Sequence, residues 1–133
     1  MSLLKSAFFI IFLTGLWTIE TTLATSCEGL SHNATYGQRK QGDGLIFRDH
    51  VVKSWKFLRY AATDVKYPLR GQIPRNITYI EIVDQYQNGH GGCSSIIKGG
   101  VGEDYVTIHI KSQFNRGFDF KIKMYGMKGK VEN

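Results

Sequence analysis

Two runs toward the C-terminal end, YVTIHIK (105–111) and FDFKIKMY (118–125), alternate apolar and polar residues one for one, and no other feature restricts the fold as tightly. Val106, Ile108 and Ile110 fall on one side of the first run, with Tyr105, Thr107, His109 and Lys111 on the other. In the second, Phe118, Phe120, Ile122 and Met124 oppose Asp119, Lys121, Lys123 and Tyr125. A period of two fits a β-strand with one buried and one wet face; on a helix the same apolar residues would scatter around the axis. The connection SQFNRG (112–117) is polar apart from Phe114 and ends in Gly, so the two runs are expected to pair as an antiparallel hairpin.

The rest of the chain extends this pattern. NITYIEIVDQY (76–86) is rich in β-branched and aromatic residues, and Pro74 punctuates its start. Ile80 and Ile82 share a face with Thr78, and Ile77, Tyr79 and Val83 share the other with Glu81; apolar residues on both faces predict an interior strand. Residues 45–48 and 51–60 are further strand candidates. Val52, Trp55 and Leu58 have helical spacing, but the β-branched pair Val51-Val52 and the strands that follow favour extended chain. Residues 69–74 read as loop. The expected architecture is all-β, a small antiparallel sandwich or meander of about six to seven strands.

The N-terminal end points to export. Lys5 precedes the apolar run AFFIIFL (7–13), and Thr22-Leu23-Ala24 offers small residues for cleavage, the pattern of a secretory signal peptide over residues 1–24. Thr14, Thr18 and Glu20 break the run before it reaches the roughly 20 apolar residues of a membrane span. Residues 25–133 then make one domain. The signal carries Lys5 and Glu20, one charge of each sign, so the net charge of +6 survives its removal. Such a balance favours acidic surfaces, glycans or other anions. The cations are spread, with Arg39-Lys40 the longest run, which argues against a nucleic-acid tail. Cys27 and Cys93 are the only cysteines, and in an exported domain an even pair is most simply one disulfide, worth about 4 kcal/mol for a loop of this length. Asn33-Ala34-Thr35 and Asn76-Ile77-Thr78 are sequons that place candidate glycans on Asn33 and Asn76.

The stretch QNGHGGCSSIIKGGVG (87–102) invites a phosphate-cradle or metal reading. A cradle needs its glycines between a strand and a helix, often closed by Lys-Ser/Thr, and here a strand follows. His90 and Cys93 form an H-x-x-C pair, but zinc wants about four ligands and His32, His50 and His109 supply no second pair. Glycines that permit positive φ at turns, with a disulfide anchor at Cys93, account for the stretch. Glu81, Asp84, Asp64 and His90 are acid–base candidates, and Ser94 and Ser95 candidate nucleophiles, yet no G-x-S-x-G, H-E-x-x-H or catalytic-cysteine context surrounds them. No catalytic residue, cofactor or metal ligand is therefore expected. If the two alternating runs form a hairpin, its outer face gathers Tyr105, His109 and Lys111 with Lys121, Lys123 and Tyr125, a basic and aromatic surface suited to anions. A plain solvated sheet face is the competing reading.

The ordered series Tyr36-Gly37-Gln38-Arg39, Gly42-Asp43, Asp64-Val65-Lys66-Tyr67-Pro68, Ile77-Thr78-Tyr79-Ile80, Asp84-Gln85, Asn88-Gly89-His90-Gly91-Gly92, Gly99-Gly100-Val101-Gly102, Val106-Thr107-Ile108-His109, Lys111-Ser112-Gln113 and Gly117-Phe118 resembles the multiprotein bridging factor 2 family of insects and other arthropods. The resemblance runs from about Cys27 to Gly126. It implies no catalytic residues and no cofactor. It further implies a small protein of the kind described as a salivary or venom secreted peptide, in a family named for a transcriptional co-activator that bridges a nuclear receptor to the general transcription machinery. With the export signals, the expected function is a secreted, non-enzymatic binding or effector protein of an arthropod secretion (saliva, venom or haemolymph). Its partner would be an extracellular protein, glycan or anionic ligand, and the co-activator is the alternative.

Overall fold

In the computed structural model, which describes residues 27–128, both C-terminal alternating runs and the stretch 76–84 are strands. The elements are β1 (Ala34–Gly37), β2 (Asp43–Lys53), β3 (Ala62–Tyr67), β4 (Asn76–Asp84), β5 (Cys93–Gly99), β6 (Val106–Lys111) and β7 (Phe118–Met127). The predicted signal, residues 1–24, lies outside the described residues. Two antiparallel sheets form, one in the order β1-β4-β7-β2 and the other β3-β6-β5. Their inner faces enclose one core: Phe118, Phe120, Ile122 and Met124 of β7 and Ile80 and Ile82 of β4 meet Val106, Ile108 and Ile110 of β6. Phe47 of the first sheet packs edge-on against Tyr67 of the second, centroids 5.9 Å apart. This is the sandwich expected, with the buried faces of β6 and β7 as the alternation assigns them. β4 is interior, as its two apolar faces predict.

The expected hairpin does not form. β6 and β7 belong to different sheets, and the segment 112–117 carries the chain from one to the other. Alternation specifies which face of a strand is buried and leaves open which neighbour it pairs with. β7 instead lies between β4 and β2, pairing Ile122 with Ile82 on one side and with Asp49 on the other. Two long strands thus satisfy both of its edges, and β6, with its own apolar face, closes the core from above.

Two further expectations are corrected. Residues 45–48 and 51–53 belong to one strand, β2, which ends at Lys53; 54–61 is neither strand nor helix but a loop turning at Lys56–Arg59. The stretch 87–102 is not all punctuation either, because β5 occupies its centre as an edge strand. Gly89, Gly99, Gly100 and Gly102 do take positive φ, whereas Gly91 and Gly92 do not. At Gly91 the reason is close approach: a Cβ there would run into the Asp84 carboxylate.

Cys27 and Cys93 are joined with Cα atoms 5.3 Å apart, closing 66 residues of sequence. The bond ties the segment before β1 to the start of β5. Beside it, buried Asp84 accepts the backbone N–H groups of His32 (3.1 Å) and Tyr86 (2.9 Å), and its own N–H donates to Asn33 Oδ1 (2.8 Å). His32 Nδ1 lies 2.9 Å from the Gly92 carbonyl. These contacts fix the N-terminal segment at the end of the sandwich where the loops 54–61, 85–92 and 112–117 emerge.

Candidate functional site

Those three loops gather a cluster of large exposed side chains. Phe57, Trp55 and Leu58 are 71%, 64% and 61% exposed, and Tyr60 and Phe114 stand half out of the surface beside them. Single exposed apolar residues are ordinary, but a contiguous group of large ones marks a contact surface. Tyr60 and Phe114 meet edge to face at 5.4 Å, and Lys111 Nζ sits 4.2 Å from the Tyr60 ring centroid. Lys53, Lys56, Arg59 and Arg116 are exposed on or beside the same loops, and no Asp or Glu occurs in 54–61, 85–92 or 112–117.

The loops are stitched to one another. Leu58 N–H donates to Asn115 Oδ1 (3.1 Å), Asn115 N–H to the Arg59 carbonyl (2.9 Å), and Ala61 and Ser112 exchange bonds of 2.8 and 2.7 Å. Gln113 Nε2 reaches the carbonyls of Gly89 (2.8 Å) and Gly91 (3.2 Å), tying in the third loop. Gly117 permits the approach, because a Cβ there would collide with the Lys53 carbonyl. Leu58 and Asn115 hold φ of 52° and 61°, a region that costs a non-glycine residue about 1 kcal/mol and persists only where the surroundings impose it. The display of side chains is thus built, not left to chance. A cleft of about 760 Å³ opens beside it, lined by Ser54, Trp55, Tyr86, Asn88, His90, Phe114, Asn115, Arg116 and Gly117.

The residues singled out in the sequence are not brought together here. His109 and Lys111 belong to the outer side of the three-stranded sheet, with Tyr105 in the loop just before β6 and Lys111 alone reaching the loop end at Tyr60; Lys121, Lys123 and Tyr125 belong to the outer side of the four-stranded sheet, so the single face that the hairpin implied is divided between opposite surfaces. On the first, His109 Nδ1 pairs with Asp64 at 2.7 Å. On the second, Lys123 stands between Arg48 and Glu81, and His50 pairs with Asp119 at 2.6 Å. Arg39 lies 3.7 Å from the Tyr125 ring centroid. Both faces are mixed in charge. Asp84 is buried and binds backbone, Glu81 and Asp64 lie on opposite outer faces, Ser94 is buried in β5, and Ser95 is exposed beside it; only His90 reaches the cleft. Among the described residues, no group of three His, Cys, Asp or Glu could hold a metal. Cys27 and Cys93 form the disulfide expected. Asn33 and Asn76 are both exposed.

Sequence reasoning missed Trp55, Phe57, Leu58, Tyr60 and Phe114, though a signal existed. In SWKFLRY the alternation changes phase between Phe57 and Leu58, so a continued strand would present large apolar groups on both faces. A phase break between Lys56 and Arg59 marks a turn with its apolar groups outside.

A family model described as "Transcription activator MBF2" matches residues 36–126, from β1 to the end of β7. The chain belongs to this family. A relative from Bombus ignitus, described as a "Probable salivary secreted peptide", is 37% identical over 95 residues, covering 71% of this chain and 69% of that protein. No solved structure matches. The match spans all three loops of the aromatic end, so that end belongs to the family domain and is no appendage to it.

Proposed function

We propose that this chain is a secreted, non-enzymatic binding protein of an arthropod secretion, and that its recognition surface is the aromatic, cationic loop end around Trp55, Phe57, Leu58 and Phe114. The observation that carries the reading is the conjunction at that end: large apolar groups held outward on hydrogen-bonded loops that carry Lys56, Arg59 and Arg116 and no carboxylate, with Lys53 and Lys111 at the strand ends that flank them. Export rests on the sequence of residues 1–24, on the Cys27–Cys93 bond, which suits an oxidising compartment, and on the description of the Bombus relative. In this reading residues 1–24 are removed and Asn33 and Asn76 carry glycans. Asn33 spends Oδ1 on the Asp84 amide, which leaves its Nδ2 for a sugar.

The intact mass of the endogenous protein, before and after deglycosylation and reduction, tests export. A chain beginning at Thr25 or Ser26, losing mass with its sugars and gaining two hydrogens on reduction, is expected. The family's description favours a second reading, a transcriptional co-activator, and a chain that keeps Met1 and free thiols would put that one first. Oxidative footprinting tests the surface. Trp55, Tyr60 and Phe114 should be protected in the native secretion relative to the purified protein, and equal labelling in both would remove the loop end as a recognition surface.

A further inference from the structure

We propose that the loop end docks on the surface of an anionic lipid bilayer, with Trp55, Phe57 and Leu58 entering the headgroup–acyl boundary and the surrounding Lys and Arg side chains meeting lipid phosphates and carboxylates. The proposal rests on the reading of that end as the recognition surface and names what it recognises.

Three features select a bilayer. The first is exposure: Phe57, Trp55 and Leu58, apolar or aromatic, are each more than 60% exposed, and the cations Lys56 and Arg59 alternate with them. Tryptophan and tyrosine favour the membrane interface, and Lys and Arg can lay their stems along apolar surface while the charge stays among the headgroups. The second is charge. Lys53, Lys56, Arg59, Lys111 and Arg116 are exposed on or beside three loops that hold no carboxylate, outnumbering the one exposed acid of the adjoining N-terminal segment, Glu28, and none of these five takes part in the ion pairs formed among the described residues. An anionic leaflet attracts such a cluster, each cation adding to the binding within a Debye length. The third is rigidity. Because the Leu58–Asn115 and Ala61–Ser112 bonds already hold the loops, docking orders little that was free. The cleft adds donors: Asn115 Oδ1 accepts the Leu58 N–H, so its NH₂ remains available beside Arg116 and Asn88. A second copy of this chain is a poor occupant, since a self-complementary contact would bring the same five cations against one another.

Trp55 is the only tryptophan in residues 27–128, so its fluorescence reports on this end alone. The oxidised chain from Thr25 to Asn133 should co-sediment with vesicles of phosphatidylcholine containing roughly one-third phosphatidylserine, and about tenfold less with phosphatidylcholine alone. Trp55 emission should shift to the blue on binding, and raising the salt should weaken it. Phe57→Ser with Leu58→Ser, which keeps both the tryptophan and the cations, should lower vesicle affinity about tenfold or more. Since both side chains are already exposed, the double variant should keep its thermal midpoint, which verifies that it folds. No binding to anionic vesicles at low salt would overturn the proposal. So would binding without a Trp55 shift, or binding indifferent to the double variant, because diffuse attraction to the net charge would then suffice. Oleate and poly-glutamate serve as parallel probes. If either moves Trp55 emission and vesicles do not, the loop end remains a recognition surface for a soluble anion or an acidic protein, and the bilayer fails alone. If none of the three moves it, the recognition reading fails as well.

Discussion

The two ends of the sandwich carry similar residues to opposite effect. At one end the loops 38–42, 68–75 and 100–105 mix Arg39, Lys40, Arg70 and Arg75 with Glu103 and Asp104, beside Asp43 at the start of β2. Asp43 works there as a structural clamp: it accepts the Lys40 N–H at 2.6 Å, the Arg39 Nε at 2.9 Å and the Thr78 hydroxyl at 2.8 Å, closing the β1–β2 connection. At the other end five cations stand near exposed rings with no carboxylate in the loops to answer them. The difference separates a carboxylate that holds backbone and an arginine at one end from cations that enter no ion pair at the other. At the loop end the structural work falls instead to the disulfide, to buried Asp84 and to hydrogen bonds between loops. If that division is right, substitutions at that end should split into two groups: large losses of stability where the scaffold is cut, and almost none where the displayed residues are changed.

The largest effect should come from Cys27→Ser with Cys93→Ser. A cross-link closing 66 residues contributes about 4 kcal/mol by restricting the unfolded chain, and its loss should appear as a much lower urea midpoint. A change under about 1 kcal/mol would mean that the N-terminal segment is held without it. Asp84→Ala comes next. It leaves the amides of His32 and Tyr86 without their acceptor in a buried site, and about 3 kcal/mol should be lost by the same measurement. An unchanged midpoint would show that water reaches those amides.

How far these features could be read in advance differs between the scaffold and the display. Face by face, the core of β4, β6 and β7 was legible, because burial on one side of a strand writes itself as a period of two. The disulfide was legible because only two cysteines exist. Pairing was not, since Phe120 has the same parity whether its neighbour is Val51, as in the structure, or a residue of β6. β1 and β3 were missed for another reason. With four and six residues they are short, and their exposed positions give little contrast. The loop end was misread because SWKFLRY carries strand-like composition, and the deciding fact, Gly117 lying against the Lys53 carbonyl, joins residues 64 positions apart. That is a tertiary contact overriding a local preference.

That contact supplies a test of intermediate size. Gly117→Ala should cost about 2 kcal/mol, since the new methyl must push the β2–β3 connection away from the sheet. Trp55, which lines the cleft next to Gly117, should report the movement as a change in fluorescence at native conditions. Stability lost without any change at Trp55 would mean that the strain is absorbed on the β7 side instead.

At the opposite end the prediction concerns pH. The Lys40 amide, then the Thr78 hydroxyl and Arg39, hold the Asp43 carboxyl below its ordinary value, against burial that pushes it up. A carboxyl depressed in the folded state contributes stability that is fully present above its unfolded pKa and disappears as pH falls through the folded one. Wild type should therefore exceed Asp43→Asn in urea midpoint at neutral pH, and the gap should narrow once the pH drops below about 4. A gap that stays constant down to pH 2 would place the role of Asp43 in the hydrogen bonds alone, which asparagine only partly reproduces.

The smallest effect on stability is also the most discriminating. Trp55→Ala with Phe57→Ala removes two of the largest exposed rings in the molecule, yet the thermal midpoint should barely move, within about 0.5 kcal/mol, because neither ring belongs to the buried core. The cations nearby should be similarly dispensable: Lys56→Gln takes away a charge that no carboxylate answers, and relief from its like-charged neighbours could even raise the midpoint slightly. A loss of 2 kcal/mol or more in the aromatic pair would mean that the rings fold back and support the loops, so that the two ends would no longer differ in kind. If the pair is silent in stability, these side chains do nothing for the folded state that would justify exposing them to water, and their reason must lie in what they touch outside the chain.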